Sequence, residues 1–334
     1  MARCRLPRRR EALEPGEKGK HGLEAKELGE KAGVDYLLIA GAAALWGSVG
    51  VFLRWINLPG REHFVVFIRS MISVGFLAAV IAASGRMEDF RLGGHPLLLL
   101  ASGALLTLHW VLFLKALNNL PIGDAEFITY LAPVLVALLA PLVLKERLEG
   151  ITLLALALAL VGMGLISLTG QEVGTGSPAA GTGYALASAV SYALLLFILK
   201  FLREDTPALT VTFYQTAVNA AILFPFCAFR DFKITPGGWA SLLVLGLVHT
   251  GLAGLVYVFA VRRVKAQHVG IIAYLEPASA MLYGLLFLGE SLGWQDLAGG
   301  ALIIAAGAMV IRRAWSSDRP PQRPLGRRVP GDTA

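Results

Sequence analysis

Long apolar segments alternate with short polar ones along most of the chain. A helix rises 1.5 Å per residue, so about 20 apolar residues cross the roughly 30 Å hydrocarbon layer of a bilayer, and segments of this length are too long for barrel strands. The pattern therefore predicts an all-α polytopic membrane protein. We count ten transmembrane helices, at 35–55, 63–84, 96–117, 121–144, 151–168, 183–201, 207–229, 239–261, 269–288 and 297–311.

The composition supports a membrane protein and excludes other classes. Of the 334 residues, 56% are hydrophobic and only 16% are charged, whereas soluble domains carry about 25% charged residues. The net charge of +7 arises mostly in the terminal segments, so no folded domain is left to present the basic face that nucleic-acid binding requires. The expected partners are the lipid bilayer and a small-molecule substrate, with no nucleic acid.

The terminal segments differ sharply from the apolar body. Residues 1–34 hold nine basic and six acidic side chains and lack the apolar core of a secretory signal. They are predicted to form a disordered basic cytosolic tail, although a misassigned start codon is an alternative explanation. Residues 314–334 are predicted to form a second such tail. Cys4 and Cys227 lie far apart, so we expect no disulfide framework, no metal site and no cofactor.

The body of the chain contains an internal repeat. Tyr-Leu-Ala-Pro at 130–133 matches Tyr-Leu-Glu-Pro at 274–277 at an offset of 144, and the ungapped match continues through Glu146 and Glu290. Membrane carriers are often built from duplicated halves. The sequence therefore predicts two five-helix repeats, at 35–169 and 182–313, joined by a Gly-rich linker loop at 170–181.

An odd number of helices in each repeat requires the second repeat to be inverted in the membrane. With the N-terminus inside, the cytoplasmic loops hold nine Lys and Arg residues and the outer loops four, as the positive-inside rule requires. Charge also changes sides between matched positions, since Asn118 and Asn119 correspond to Arg262 and Arg263. We expect a multi-pass protein of the cell (plasma) membrane with both termini in the cytoplasm.

These features resemble the EamA family of the drug/metabolite transporter (DMT) superfamily. The resemblance rests on the two five-helix halves, on Trp46 in the first helix, and on a Pro followed thirteen residues later by Glu-x-Leu, at Pro133 with Glu146 and at Pro277 with Glu290. It covers residues 35–313. It implies a ten-helix carrier with a central cavity, of a family that usually exports amino acids or other small metabolites.

Two ionisable residues within the predicted helices are the strongest candidates for substrate binding, because such groups are costly in a membrane. Arg69 could hold a carboxylate in its planar fork; alternatively it bonds a backbone carbonyl or Glu62. Glu276 lies beside Pro277, which removes a backbone hydrogen bond, and could bind an ammonium group or a proton. Alternatively it is a protonated acid that is bonded within the bundle.

The other predicted substrate-binding residues are aromatic or polar, as in many small-molecule pockets. They are Trp46, His109, Trp110, Tyr192, Tyr214, Gln215, Asn219, Tyr257 and Tyr274. Gln215 occupies the place in the seventh helix that matches Arg69. His109, and likewise His249, could instead be a hydrogen-bonded packing residue.

The sequence favours a secondary transporter that exports a small metabolite by alternating access. It has no P-loop motif for ATP hydrolysis, so transport has to use a gradient. A membrane-embedded enzyme and a channel are the alternatives, but no His-Glu-x-x-His motif and no polar filter sequence are present. We therefore expect that the protein is not an enzyme, and we leave open whether it forms a homodimer.

Overall fold

A computed structural model describes residues 33–58, 61–92, 94–168, 177–202, 206–227 and 233–317, and these residues form helices and connecting turns without strands. Of the predicted tails, residues 33–34 and 314–317 are helical, as are residues 178–181 of the predicted linker. The rest of both tails and residues 170–176 of the linker lie outside the described residues. The predicted all-α class is confirmed.

Ten helices of the described chain are long and apolar enough to cross a membrane, as predicted. They are α1 (Gly33–Ile56), α2 (Glu62–Ala83), α3 (Pro96–Leu117), α4 (Gly123–Val143), α5 (Gly150–Ser167), α6 (Pro178–Phe201), α7 (Ala208–Phe226), α8 (Pro236–Val261), α9 (Ala266–Leu288) and α10 (Trp294–Trp315). A short 3₁₀ helix, Met87–Phe90, lies in the connection between α2 and α3.

Small residues bring the helices together. Leu97 and Leu142 are 79% and 78% exposed on the outside of the bundle, where lipid tails are as apolar as leucine and give no force for helix association. Close packing has to supply that force. Gly162 of α5 lies against Gly299 of α10, so closely that a Cβ on Gly162 would lie 2.6 Å from the Gly299 carbonyl oxygen.

The two halves interlock with inverted symmetry. Helix α3 packs on α6 and α7, and its counterpart α8 packs on α1 and α2. The pairs α2 with α7, α5 with α10 and α4 with α9 join equivalent helices of the two repeats. The first segment of α9, Ala266–Ala273, lies along the second segment of α4, Ala132–Val143. These two helices are therefore antiparallel, as inverted repeats require.

Four helices are irregular near the middle of the bundle. A turn at Gly47 and Ser48 interrupts α1, and α4 is interrupted between Ile122–Thr129 and Ala132–Val143. In α9 a break at Tyr274 precedes the segment Leu275–Tyr283. Pro133 and Pro277 lie in the first turn of the segment after each break, where a missing N–H costs little. Helix α8 contains a π-helical stretch, Leu245–Leu252.

Candidate functional site

A cavity of about 190 Å³ lies near the middle of the bundle, between the two repeats. Its wall is built by α1, α2, α3 and α4 of the first repeat and by α6, α7, α8 and α9 of the second. The irregular parts of α1, α4, α8 and α9 all contribute to it. Eight of the eleven predicted substrate-binding residues line the cavity: Trp46, Arg69, His109, Trp110, Tyr192, Gln215, Tyr257 and Glu276.

The structure places the other three candidates outside the cavity wall. The Tyr214 hydroxyl donates to the Phe90 carbonyl at 2.6 Å, because adjacent residues point about 100° apart on a helix and Gln215 takes the cavity face. Asn219 is buried one turn further along α7, where that helix packs on α2 and α3. Tyr274 lies at the break in α9, fully buried, and its hydroxyl donates to the Tyr130 carbonyl at 2.6 Å.

Arg69 is the buried cation of the cavity. It is 7% exposed, and its guanidinium carbon lies 4.6 Å from the centre of the Trp110 ring, where a cation–π contact orients it. Its Nε has no hydrogen-bond partner among the described residues. A buried, unbonded guanidinium N–H is costly, so this group is suited to bind an anionic oxygen.

Glu276 is the carboxylate of the same cavity. It lies in the first turn of the segment Leu275–Tyr283, where the positive end of the helix dipole favours a negative charge. Tyr130 and Arg69 both lie close enough to interact with it electrostatically. Ala132 occupies the equivalent place in the first repeat, so the packing that both repeats share does not require the carboxylate.

Aromatic side chains form a bonded wall beside these charges. The hydroxyls of Tyr192 and Tyr257 lie 2.9 Å apart, and the Trp46 ring packs against Tyr257 with centroids 4.9 Å apart. His109 Nδ1 lies 2.9 Å from the Ser188 hydroxyl, so His109 is both a bonded packing residue and part of the wall. The wall offers apolar rings with few free polar groups.

The π-helical stretch of α8 holds the break in α1. Its wider turn changes the usual hydrogen-bond pattern, and the His249 carbonyl accepts from Trp46 Nε1 at 2.9 Å. His249 Nε2 also lies 2.8 Å from the Ser48 hydroxyl. The first bond orients Trp46 in the cavity, and the second holds Ser48 at the turn in α1.

Sequence reasoning missed several polar lining residues. Tyr130, Thr129, Thr212 and Thr216 all line the cavity. A signal existed for two of them, because Thr212 lies three residues before Gln215, on the same helix face, and Thr216 lies four residues after Thr212, about one turn along that face. Tyr130 belongs to the repeated Tyr-Leu-x-Pro motif, but it lies just before a helix break. Helix periodicity therefore did not show which way its side chain points.

Two inverted five-helix repeats around a polar and aromatic cavity define a membrane carrier. Residues 34–168 and 179–312 each match the EamA-like transporter family. The chain belongs to this family, as the sequence features indicated. It is a multi-pass membrane transporter and not an enzyme.

Known relatives agree with this assignment. An uncharacterized transporter of Archaeoglobus fulgidus is 32% identical over 79% of this chain and 91% of its own length. The uncharacterized transporter YxxF of Bacillus subtilis is 30% identical over 80% and 86%. A protein of Streptantibioticus cattleyicolor named "Probable terminal-alkyne amino-acid exporter" is 27% identical over 87% and 97%. A solved crystal structure shares the fold, with a TM-score of 0.72 at 18% identity over 84% of this chain and 98% of that one.

Proposed function

We propose that the protein exports a small zwitterionic metabolite, such as an amino acid, across the cell membrane by alternating access. The observation that carries this proposal is the pair Arg69 and Glu276, which place one cation and one carboxylate in the wall of a single cavity. A zwitterion brings the complementary pair of charges. The protein lies in the membrane with both termini in the cytoplasm.

The chemistry of Arg69 and of Glu276 determines which charged end of the substrate each residue binds. The planar guanidinium of Arg69 binds a carboxylate through two parallel hydrogen bonds, and Glu276 receives the ammonium group. Away from water these charge-assisted bonds are strong. A singly charged compound leaves one of the two protein charges without a substrate partner, and an uncharged compound leaves both. The rings of Trp46, Tyr192 and Tyr257 then contact the apolar part of the substrate.

The fold supports alternating access and the relatives support export. Exchange of the conformations of two inverted repeats converts a cavity open on one side into a cavity open on the other. One relative is named an amino-acid exporter. Because the sequence has no P-loop, a gradient supplies the driving force.

The test is uptake of radiolabelled amino acids, nucleosides and sugars into proteoliposomes, together with thermal-shift binding of the same compounds. We expect saturable flux and stabilisation by at least one amino acid. Arg69→Lys should weaken its binding by about tenfold or more, since removal of the planar fork costs roughly one to three kcal/mol. Glu276→Gln should reduce flux while expression and monodispersity are retained.

Asp124→Asn is the matched control, because Asp124 is an exposed carboxylate near the start of α4 outside this cavity. It should transport as the wild type does. Normal amino-acid flux in both cavity variants would contradict the proposed roles of Arg69 and Glu276. Ohmic conductance without saturation would favour a channel.

A further inference from the structure

On one side of the bundle the two repeats are bonded to each other between the α4–α5 loop and the start of α9. We call this the termini side, since α1 begins there and α10 ends there, and we call the opposite side, between α5 and α6, the linker side. Six residues make the contact: three from the α4–α5 loop, one from the α8–α9 loop and two from the first turn of α9. These residues, which we call the latch, are Glu146, Arg147, Glu149, Lys265, Ala266 and Gln267.

The latch contains an ion pair and two further kinds of hydrogen bond. Glu149 Oε1 accepts from Lys265 Nζ at 2.7 Å. The Glu146 carboxylate accepts from the Ala266 backbone N–H at 3.0 and 3.1 Å. Gln267 Nε2 donates to the carbonyl of Arg147 at 3.0 Å.

Other contacts between the repeats surround the latch on the same side. Arg313 Nε of α10 lies 3.1 Å from Glu149 Oε2, and His268 Nδ1 lies 2.6 Å from the Tyr36 hydroxyl. Arg263 lies 3.6 Å from the carboxylate of Asp35. Every one of these bonds joins the first repeat to the second.

Helices α4 and α9 pack tightly against each other on the termini side and loosely on the linker side. All eight residues of Ala266–Ala273 are buried, and this segment packs along Ala132–Val143. The symmetry-related segments are Ile122–Thr129 of α4 and Leu275–Leu288 of α9. No comparable packing joins those two segments, all of whose residues belong to the described chain.

The sequence explains why only one side carries a latch. At the offset of 144, Lys265 corresponds to Pro121, Glu149 to Gly293 and Gln267 to Gly123. None of the three residues on the linker side has a side chain that can form the equivalent bond. Glu290, the counterpart of Glu146, instead pairs with Arg54 at 2.9 Å.

We infer that the latch closes the cavity on the termini side, and that the carrier has to release it to open there. This inference rests on the proposed function, since only an alternating-access carrier opens on both sides. The Lys265 and Glu149 side chains are 43% and 27% exposed, and a partly exposed ion pair contributes little alone. Several such bonds bias a two-state equilibrium and still allow it to reverse.

Distance measurement between spin labels tests the inference without a substrate. The labels replace Leu142 and Phe259, which are exposed near the ends of α4 and α8 on the termini side, in protein whose Cys4 and Cys227 are serine. In lipid nanodiscs the wild type should give one short distance. Glu149→Gln should add a longer distance and raise the ratio of open to closed molecules about three- to tenfold.

Asp89→Asn is the matched control. Asp89 forms an ion pair with Arg86 at 2.9 Å on the same side of the bundle, and both residues belong to the first repeat. It should leave the distance unchanged. Lys265→Gln breaks the same bond from the other loop and replaces Glu149→Gln if that variant does not fold. Unchanged distances in a folded Glu149→Gln variant and also in Lys265→Gln would overturn the inference. Absence of amino-acid flux with the expected distance change would count against the proposed function alone.

Discussion

At the scale of the residue, Glu149 shows how one carboxylate serves two partners. It accepts from Lys265 with one oxygen and from Arg313 with the other. These hydrogen bonds are the main reason why its pKa falls from an ordinary value of 4.5 to about 2. Glu149 lies just before α5 begins, outside the hydrocarbon layer, so the two bonds are partly screened by water.

The lowered pKa predicts how Glu149 affects stability with pH. A carboxylate whose pKa is lower in the folded protein stabilises it above the unfolded pKa, and that stabilisation is lost as pH falls through the folded value. We therefore expect Glu149→Gln to unfold a few degrees below the wild type near neutral pH. The difference should stay constant between about pH 6 and 8 and shrink below about pH 4, as pH falls from the unfolded pKa toward the folded value of about 2.

Thermal unfolding of both proteins in detergent, across this pH range, measures the difference. Comparison of the two proteins at each pH removes the contributions of groups that titrate in both. A difference that disappeared between about pH 6 and 8 would show that a group other than the Glu149 carboxylate controls the bond.

At the scale of the element, α8 contains one residue more than the matching part of its counterpart α3. Gly103 of α3 lies against Val218 of α7, and Gly246 of α8 lies against Ile72 of α2. These two glycines therefore hold equivalent places in the two repeats, and they are 143 positions apart. Further along, Phe113 and Tyr257 are 144 positions apart. The extra residue falls within the π-helical stretch Leu245–Leu252, as expected for an insertion into a helix. The His249 carbonyl that accepts from Trp46 lies in this stretch.

The crossing of α5 and α10 predicts a strong effect of a single methyl group. A Cβ on Gly162 would lie 2.6 Å from the carbonyl oxygen of Gly299, and backbone cannot move aside without separating the helices. Gly162→Ala should therefore destabilise the protein by about 1–3 kcal/mol. Gly75 of α2 is exposed and has open space at its Cβ position, so Gly75→Ala is the matched control and should be close to neutral.

Thermal unfolding in detergent, measured as the loss of monodisperse protein, compares the stability of the two alanine variants. If Gly162→Ala were as stable as Gly75→Ala, the α5–α10 crossing would be looser than its geometry indicates.

At the scale of the whole molecule, hydropathy predicted the ten helices and the internal repeat predicted that they form two inverted five-helix halves. Both predictions depend on properties that extend over many residues, so local irregularities in a helix do not change them. The direction of single side chains did not follow as well. Tyr274 lies at a break where helix periodicity restarts, so its face cannot be extrapolated from its neighbours. The latch was not predicted, because it joins the α4–α5 loop to the start of α9, more than a hundred residues away in the sequence.

The side of the membrane on which the latch lies depends on the orientation of the whole chain. The loops on the termini side include Arg262, Arg263 and Lys265, and excess Lys and Arg mark the cytoplasmic side. The linker side should therefore be outside the cell. A cysteine in place of Gly174, in protein without Cys4 and Cys227, should react with a membrane-impermeant maleimide in intact cells.

Glu88→Cys is the matched control, since Glu88 is exposed in the connection between α2 and α3 on the termini side. It should react only after the membrane is permeabilised. The reverse result, with Glu88→Cys labelled in intact cells and Gly174→Cys protected, would place the latch on the outer face. In that orientation, a carrier closed by its latch would be open to the cytoplasm and ready to load a substrate for export. In the predicted orientation, the same closed latch leaves the carrier open to the outside, in the state that follows release of the substrate.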